Sequence, residues 1–440
     1  MGITGIIMAK YNIYREPKLR REAGLLQVVA YGVGNIIGAG IYVLVGDGAG
    51  LAGGTLWLAF LAGAVVALFT GLSYAELSAM YPKAASEYVY VRKARGGRFL
   101  SFLTQWLMLA TEIVAAVTVS LGFAEYFQNL FTVPIPLVAA SLLLFLTMVS
   151  INGVKHSLRL NTILSAVAVL GLLIVIIAGI PRLGSVDYTY TPNGLTGIFG
   201  AAVLVFFAFV GFDNIANLSE EVKKPAKTLP KGFIISIAVT TALYAMVGIS
   251  AVSLVPPEKL AASNAPLALA ASMTFGGVAY DVLTAAALLT TLNTVLVLLI
   301  TSSRIIYGMA RAGELPRIMG RVHSNTNAPA VASFAVLAVA LLFLPIGKID
   351  VVAEVTSFGA LITFMMVNIA LLNLRRVEPM MHRPFKAPLN IGWISVTALL
   401  GVLSCIVLLT QFSQIGIVFG MVLPISGILI YEFSHHFRRR

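Results

Sequence analysis

Apolar stretches of about 20 residues, each long enough for one helix to cross a bilayer, follow one another along almost the whole chain. Of the 440 residues, 59% are hydrophobic and 11% are charged. A soluble protein carries about 25% charged residues, so a soluble fold is excluded. We predict an all-α membrane protein with twelve transmembrane helices. The predicted spans are about 26–46, 55–80, 98–127, 133–151, 160–180, 197–219, 231–255, 277–307, 329–346, 350–374, 391–411 and 414–433.

The positions of the basic residues agree with this count and indicate an orientation. With the N-terminus in the cytoplasm, all but three of the 30 Lys and Arg residues fall in cytoplasmic segments, the exceptions being Arg182, Lys259 and Lys348. Cytoplasmic loops carry an excess of Lys and Arg. We therefore predict a multi-pass protein of the cell membrane with both termini in the cytoplasm. The net charge of +12 is then a topology signal, with attraction to membrane lipid as a secondary consequence and no nucleic-acid partner.

The first span contains a segment that is poorly suited to an uninterrupted helix. Between Gly32 and Gly40 it has four glycines and an asparagine. Each glycine in a helix interior costs roughly 1 kcal/mol relative to alanine. In a membrane, such glycines allow either close packing of a neighbouring helix or a break that offers backbone groups to a ligand. This segment alone leaves both interpretations open.

The sixth span has a second candidate break at Gly211, which is followed by Asp213 and Asn214. An aspartate inside the bilayer costs about 2.5–3.5 kcal/mol, so it is expected to face a cavity or a partner. Either polar residue could instead cap a helix half that begins after the break. A break in span 1 and another in span 6 are typical of an inverted repeat. Helix halves offer N–H groups to an anion and C=O groups to a cation, which suits an α-amino acid.

Four segments of the chain resemble those of the amino acid–polyamine–organocation (APC) superfamily of permeases. They read GNIIGAGIY at 34–42, SYAELSAMYP at 73–82, FAFVGFD at 207–213 with EEVKKP at 220–225, and SRIIYGMAR at 303–311. The resemblance implies a LeuT-like fold, with a five-plus-five inverted repeat, broken helices 1 and 6, and alternating access. The whole chain, 1–440, would be a single transporter domain. Its parts would be repeat 1 (about 26–180), repeat 2 (about 197–374) and helices 11 and 12 (about 391–433).

The same resemblance assigns the substrate to the two breaks. Its carboxylate would meet the backbone of the first break, and its α-amino group would meet carbonyls of the second. The aromatic ring of Phe207 would close over the bound molecule. The implied substrate-binding residues are Asn35, Ile37, Gly38, Ala39, Gly40, Ile41, Phe207, Ala208, Phe209, Val210 and Gly211.

Ion coupling is where the chain departs from part of the family. Some proton-coupled members carry a lysine in span 5, whereas we place Ala168 at the equivalent position. The candidates for proton coupling are then Asp213, where some relatives have an acid, and Glu112, an ionisable residue near the centre of span 3. A sodium site is a further possibility, and its hydroxyls in span 8 would be Thr290, Thr291 and Thr294. Threonines also serve helix packing, and exchange without an ion stays open.

We predict a secondary active transporter of neutral amino acids that is ion-coupled, with a proton favoured over sodium, or that works by exchange. The alternatives are a non-transporting membrane sensor or subunit with a permease fold, and a transporter of another organic amine or a nucleobase. The sequence shows no metal-ligand cluster and no nucleophile–base set. We therefore expect that the protein is not an enzyme and needs no cofactor or metal.

Overall fold

The computed structural model describes residues 21, 23–83, 86–151, 158–322, 328–346 and 348–438. Some of the basic residues that indicate the topology lie outside these ranges, namely those within 1–20, Lys155, Arg439 and Arg440. The described chain is largely helical. Its elements are α1 (Leu25–Ile36), α2 (Gly40–Ala52), α3 (Leu56–Met80), α4 (Ser86–Lys93), α5 (Gly97–Gln128), α6 (Ile135–Ile151), α7 (Leu158–Gly179), α8 (Gly194–Phe206), α9 (Asn214–Asn217), α10 (Pro225–Leu254), α11 (Pro257–Ala261), α12 (Pro266–Phe275), α13 (Gly277–Arg311), α14 (Ala330–Phe343), α15 (Ile349–Val377), β1 (Asn390–Ile391), β2 (Ile394–Ser395), α16 (Val396–Leu409) and α17 (Gln414–Arg438).

The helices are those of an integral membrane protein. Within the described ranges, eight helical segments are long and apolar enough to cross a membrane. They are Gly40–Met80, Gly97–Gln128, Ile163–Arg182, Gly194–Asn217, Pro225–Leu254, Gly277–Arg311, Ile349–Val377 and Gln414–Ser434. Shorter apolar helices include α1, α6, α12 and α16. The most apolar stretch of α5 is 94% buried and that of α17 is 22% buried, so α5 lies at the centre of the bundle and α17 at its edge.

The stretch predicted as the eleventh span, 391–411, begins differently from the prediction. Its first residues form a short antiparallel hairpin in which Ile391 pairs with Ile394. The turn is made by Gly392, whose φ of 60° favours glycine. Ser395 then caps α16 by accepting a hydrogen bond from the Ala398 N–H at 3.4 Å. The helix therefore starts at Val396 rather than at 391.

The first and sixth predicted spans are both interrupted. In the first, α1 ends at Ile36 and α2 begins at Gly40, and the three residues between them are not helical. In the sixth, α8 passes into a 3₁₀ turn at Phe207–Phe209, and α9 begins only at Asn214. Gly211 has a φ of 117°, a conformation that other residues rarely adopt. We call 37–39 the first break and 207–213 the second break.

An aromatic cluster anchors the second break to the rest of the bundle. The ring of Tyr74, on α3, lies 5.8 Å from that of Phe212 and 6.0 Å from those of Tyr90, Phe233 and Phe364. All five side chains are fully buried. Aromatic pairs at such distances stabilise a fold beyond the effect of buried area alone. The cluster thus joins α3, α4, α10 and α15 around one end of the break.

A buried carboxylate holds the loop between α15 and α16 at the same end of the bundle. Glu76, near the end of α3, is inaccessible to solvent and pairs with Arg375 and Arg383, both less than 10% exposed. The Arg375 Nε–Glu76 Oε1 distance is 2.9 Å, and Arg383 Nε lies 3.2 Å from the same oxygen. Glu76 Oε2 also accepts the Ala387 N–H at 2.7 Å. One acid therefore fixes the end of α15 and the following loop.

We expect Glu76→Gln to destabilise the protein strongly, because it leaves two buried guanidinium groups without a carboxylate. Removing one partner of a buried ion pair costs roughly 3–5 kcal/mol. The measurement is thermal unfolding of the purified protein in detergent. The control is Lys83→Gln, which removes a 4.0 Å pair with Glu220 from a lysine side chain that is 66% exposed. Equal unfolding temperatures for the two variants would contradict the role given to Glu76.

Candidate substrate site

The residues that flank the first break lie directly against the second break. A Cβ atom added to Gly40 would lie 2.7 Å from Ala208 Cα and 2.9 Å from Phe207 Cδ1. A Cβ atom added to Gly211 would lie 2.7 Å from the carbonyl oxygen of Asn35. Contacts below 3.0 Å require the neighbouring atoms to move. The glycines therefore serve both functions that the sequence left open, since they interrupt the helices and let the interrupted segments touch.

The hydroxyl of Tyr244, on α10, joins the two breaks. Its oxygen lies 2.7 Å from the Ile36 carbonyl oxygen and 3.0 Å from that of Ala208. The side chain is fully buried. A break frees backbone groups from their helix, and in a membrane these groups must find partners within the protein. One O–H group shared between the two carbonyls meets part of this requirement in both breaks at once.

The backbone of the breaks offers opposite polarities to a bound molecule. At the first break, the opening N–H groups of α2 have no partner within their own helix, and the N-cap residue is Ala39, which has no polar side chain. Such a helix start carries a partial positive charge. At the second break, the Phe207 carbonyl accepts the Val210 N–H at 3.1 Å, and a carbonyl oxygen has a second lone pair to offer. The start of α2 at the first break can therefore accommodate a carboxylate, and the carbonyl groups of the second break can accommodate an ammonium group.

A cavity of about 60 Å³ lies between the breaks, α5 and α13. It brings together most of the predicted site residues. Those lining it are Asn35, Gly38, Ala39, Gly40, Glu112, Phe207, Ala208, Val210, Gly211, Asp213 and Thr294.

Three of the predicted substrate residues do not line this cavity. Ile37 and Ile41 are buried in the apolar core of the bundle. Phe209 packs on Tyr244, with 5.1 Å between the ring centroids. The periodicity of a helix explains the position of Ile41, because it lies one residue past Gly40 and hence on another face of α2. These side chains support the breaks instead of contacting the cavity.

The three threonines of the predicted cation site have different surroundings. Thr291 donates to the Ala287 carbonyl of its own helix at 2.7 Å. Thr294 lies at the cavity and donates to the Thr290 carbonyl at 2.9 Å. The hydroxyl of Thr290 is buried and has no hydrogen-bond partner among the described residues. Two of the hydroxyls therefore serve the helix backbone, and only Thr294 is placed at the cavity.

Other cavity-lining residues were missed by sequence reasoning. On α5, Met108, Ala115 and Val119 lie on the same helix face as Glu112, and on α13 the lining includes Asn293 and Val297. The three α5 residues have the spacing of one helix face, because Met108 lies four residues before Glu112, and Ala115 and Val119 lie three and seven residues after it. That spacing could have revealed them once Glu112 was placed at the site. Asn293 carried a signal of its own as a polar residue within an apolar span.

Both predicted proton-coupling residues are buried beside the cavity, each with one unpartnered oxygen. Glu112 Oε2 accepts from the Ser302 hydroxyl at 3.4 Å, and Asp213 Oδ1 accepts the Gly211 N–H at 3.0 Å. Within the described structure, Glu112 Oε1 and Asp213 Oδ2 have no hydrogen-bond partner. Asp213 is the N-cap residue of α9, but its side chain bonds within the break and makes no capping hydrogen bond to that helix. A buried polar atom without a partner is costly, so both oxygens are positioned to take a proton, an ion or a ligand.

A larger vestibule of about 620 Å³ adjoins the small cavity. The two spaces share Asn35, Met108, Asn214 and Val297 in their linings. The vestibule extends to Glu87, which lies on α4 outside the membrane-spanning helices. Burial raises the pKa of the Glu87 carboxyl. Hydrogen bonds to this carboxyl, including one of 3.0 Å from the Tyr74 hydroxyl, oppose the rise. The cavity therefore adjoins a larger space that extends to α4 and to the end of α13.

Comparison with known proteins identifies the family. The amino acid permease family model matches residues 24–432. The branched-chain amino acid permease BcaP of Bacillus subtilis is 31% identical, covering 94% of this chain and 93% of that protein. The methylthioribose transporter of Bacillus subtilis is 29% identical (85% of each chain), and the vacuolar cationic amino acid transporter 4 of Arabidopsis thaliana is 31% identical (82% of this chain, 64% of that one). The chain belongs to the amino acid permease family of the APC superfamily, and it is a transporter rather than an enzyme.

Proposed function

We propose that this protein is a secondary active transporter of neutral amino acids, which are held between the two breaks. The observation that carries the proposal is the meeting of a helix start with a break rich in carbonyls at one cavity. A zwitterion satisfies both polarities. Apolar side chains of Met108, Ala115 and Val119 on the α5 wall suit an aliphatic substrate. The name of the Bacillus subtilis relative, a branched-chain amino acid permease, supports the same class.

We further propose the twelve-span architecture with two inverted repeats, at about 26–180 and 197–374, and with both termini in the cytoplasm. Taking α1 with α2 as one span and α8 with α9 as another supports this arrangement. The breaks then occupy corresponding positions, in spans 1 and 6. The distribution of Lys and Arg supports the orientation and a location in the cell membrane.

The sizes of the two spaces support a mechanism of alternating access. A cavity of about 60 Å³ is smaller than the roughly 300–1,000 Å³ of ordinary small-molecule sites. We infer that the breaks separate when an amino acid binds between them. In the proposed orientation, the vestibule of about 620 Å³ is the route to the cytoplasm. Rocking of the segments around a fixed site is the usual way in which such repeats expose it to one side at a time.

Coupling to a proton is favoured over coupling to sodium by the side chains at the cavity. Asp213 and Glu112 each supply a carboxyl oxygen that lacks a partner among the described residues. A charged acid in the membrane is costly, so binding a proton together with the substrate would lower that cost. The sodium alternative uses hydroxyls, and of the three candidates only Thr294 lines the cavity. Exchange without an ion remains the other alternative.

A cationic amino acid is a second candidate substrate. Glu112 and Asp213 both line the cavity, and among the described residues no lysine or arginine does. The Arabidopsis relative is named a cationic amino acid transporter. The other candidates are a different organic amine or a nucleobase, and a sensor that binds a solute without moving it.

The direct test is uptake of a panel of radiolabelled amino acids into proteoliposomes. We expect accumulation of neutral aliphatic amino acids when a proton gradient is imposed, and little accumulation without a gradient. A response to sodium alone would reject proton coupling, and uptake that occurs only into preloaded vesicles would identify an exchanger. Preference for lysine and arginine would support the second candidate. Failure of folded protein to take up any member of the panel would reject amino acid transport.

We expect Asp213→Asn to abolish accumulation driven by a proton gradient, because an amide of the same size cannot take up and release the proton. Exchange of labelled for unlabelled substrate at equal pH should persist. The matched control is Asp281→Asn, the same change at an exposed position of α13. Glu112→Gln distinguishes the two acids, because only replacement of the proton carrier should abolish accumulation while exchange persists. Unchanged accumulation in both variants would exclude both acids as the coupling site.

We expect Gly40→Ala to reduce uptake about tenfold or more, since the new methyl group would press on the Ala208 backbone at 2.7 Å. Overpacking of this kind costs about 1–3 kcal/mol. The control is Gly200→Ala on α8, where the nearest atom to an added Cβ is 3.9 Å away. Both proteins should purify as folded monodisperse species. Normal uptake by Gly40→Ala would show that the breaks do not need to touch during transport.

A further inference from the structure

A separate cavity of about 420 Å³ lies away from the breaks. It is enclosed by the turn after α4, the start of α5, the end of α15 and the β1–β2 hairpin. None of its lining residues also lines the substrate cavity or the vestibule. A hydrogen bond of 2.5 Å from the Asn373 side chain to the Ala94 carbonyl ties α15 to the turn at one wall. The volume falls in the range of small-molecule pockets, roughly 300–1,000 Å³.

The cavity is apolar and opens outward. Most of its lining is hydrophobic, including Met366 and Ala370. Three lining side chains are also partly exposed at the outer surface: Leu100 at 42%, Ile369 at 47% and Trp393 at 46%. Leu100 belongs to the first turn of α5, and Trp393 lies in the hairpin turn just before α16. Tryptophan is enriched where a membrane meets water, so Trp393 supports an opening at the level of the lipid headgroups.

The rim of the cavity is basic. Arg376, the next-to-last residue of α15, lines the cavity and is exposed. Arg95 lies between the lining residues Ala94 and Gly96 and is also exposed. Arg92 and Lys93 are exposed nearby, and residues 88–111 include no Asp or Glu. Glu378, two residues beyond Arg376, offsets one of these charges. An apolar cavity with a basic rim complements a molecule that has an anionic head and a hydrocarbon tail.

We propose that this cavity binds an anionic glycerophospholipid, with an acyl chain along Leu100, Ile369 and Ala370 and its phosphate between Arg376 and Arg95. Basic pockets between transmembrane helices recognise acidic headgroups in this way. The exposed apolar wall favours a lipid over free phosphate, which would leave that wall unoccupied. In the orientation proposed above, the lipid comes from the cytoplasmic leaflet. The site itself does not depend on which solute is transported.

Trp393 provides a reporter inside the site. The chain has three tryptophans, and Trp57→Phe with Trp106→Phe leaves Trp393 as the single one. This protein is reconstituted in phosphatidylcholine vesicles that contain a small fraction of brominated phosphatidylglycerol or, separately, brominated phosphatidylcholine. Bromine quenches tryptophan fluorescence at short range. We expect the brominated anionic lipid to quench Trp393 more strongly than an equal fraction of the brominated zwitterionic lipid.

Arg376→Gln should lower this preference about fivefold, the change that corresponds to one basic side chain at a membrane surface. The matched control, Arg321→Gln, removes an exposed arginine that does not line the cavity and should keep the preference. Ala370→Phe tests the cavity itself, since filling it should weaken quenching by both lipids. Equal quenching of Trp393 by the two lipids, or an unchanged preference in Arg376→Gln, would overturn the proposal. An unfolded variant would be recognised by its size-exclusion profile. The comparison of the two lipids on the protein with Trp393 as its single tryptophan tests the proposal without any further variant.

Discussion

The need to satisfy backbone groups inside a membrane governs this structure. A helix that stops in mid-bilayer frees N–H and C=O groups, and only the protein can supply their partners. Here the two interrupted helices are placed against each other, with Gly40 touching Ala208, and the Tyr244 hydroxyl reaches a carbonyl of each. The start of α2 and the backbone of the second break border the cavity. The same arrangement therefore stabilises the breaks and forms the cavity that we propose as the substrate site.

The surroundings of the breaks differ in how firmly they are held. The second break is tied to α3, α10 and α15 through the aromatic cluster at Tyr74. Near it, Glu76 joins α3 to α15 and to the loop that carries the hairpin. On the opposite side of the cavity, α5 and α13 contribute the acid Glu112 and the polar residues Asn293 and Thr294. We call the firmly bonded helices α3, α10 and α15 the frame. Beside this frame, the cavity lining has carboxyl oxygens without a partner among the described residues. Such a combination suits the proposed site, which has to bind and release a substrate.

The lipid cavity that we propose lies on this frame. Its lining residue Arg376, at the end of α15, directly follows Arg375, which pairs with Glu76. The lining also includes Trp393, from the hairpin in the loop that this ion pair holds in place. The basic residues at its rim belong to the set of Lys and Arg whose distribution indicates the topology. In the folded protein, some of that charge is used within the chain, as in the 2.9 Å pair between Arg98 and Glu314, and some remains exposed.

Local properties of the sequence determined the membrane class, the approximate helices and both breaks, because hydropathy over about 20 residues and glycine in a helix act within one segment. Family-like motifs around Gly40 and Gly211 extended this to the residues of the two breaks that line the cavity. Only the tertiary structure decided which side chains meet. Tyr244 lies 208 residues from Ile36, and Glu76 lies 299 residues from Arg375. Whether Ile41 or Phe209 faces the cavity, and whether a threonine serves its helix or the site, depends on the rotation of each helix against its neighbours, which hydropathy does not encode.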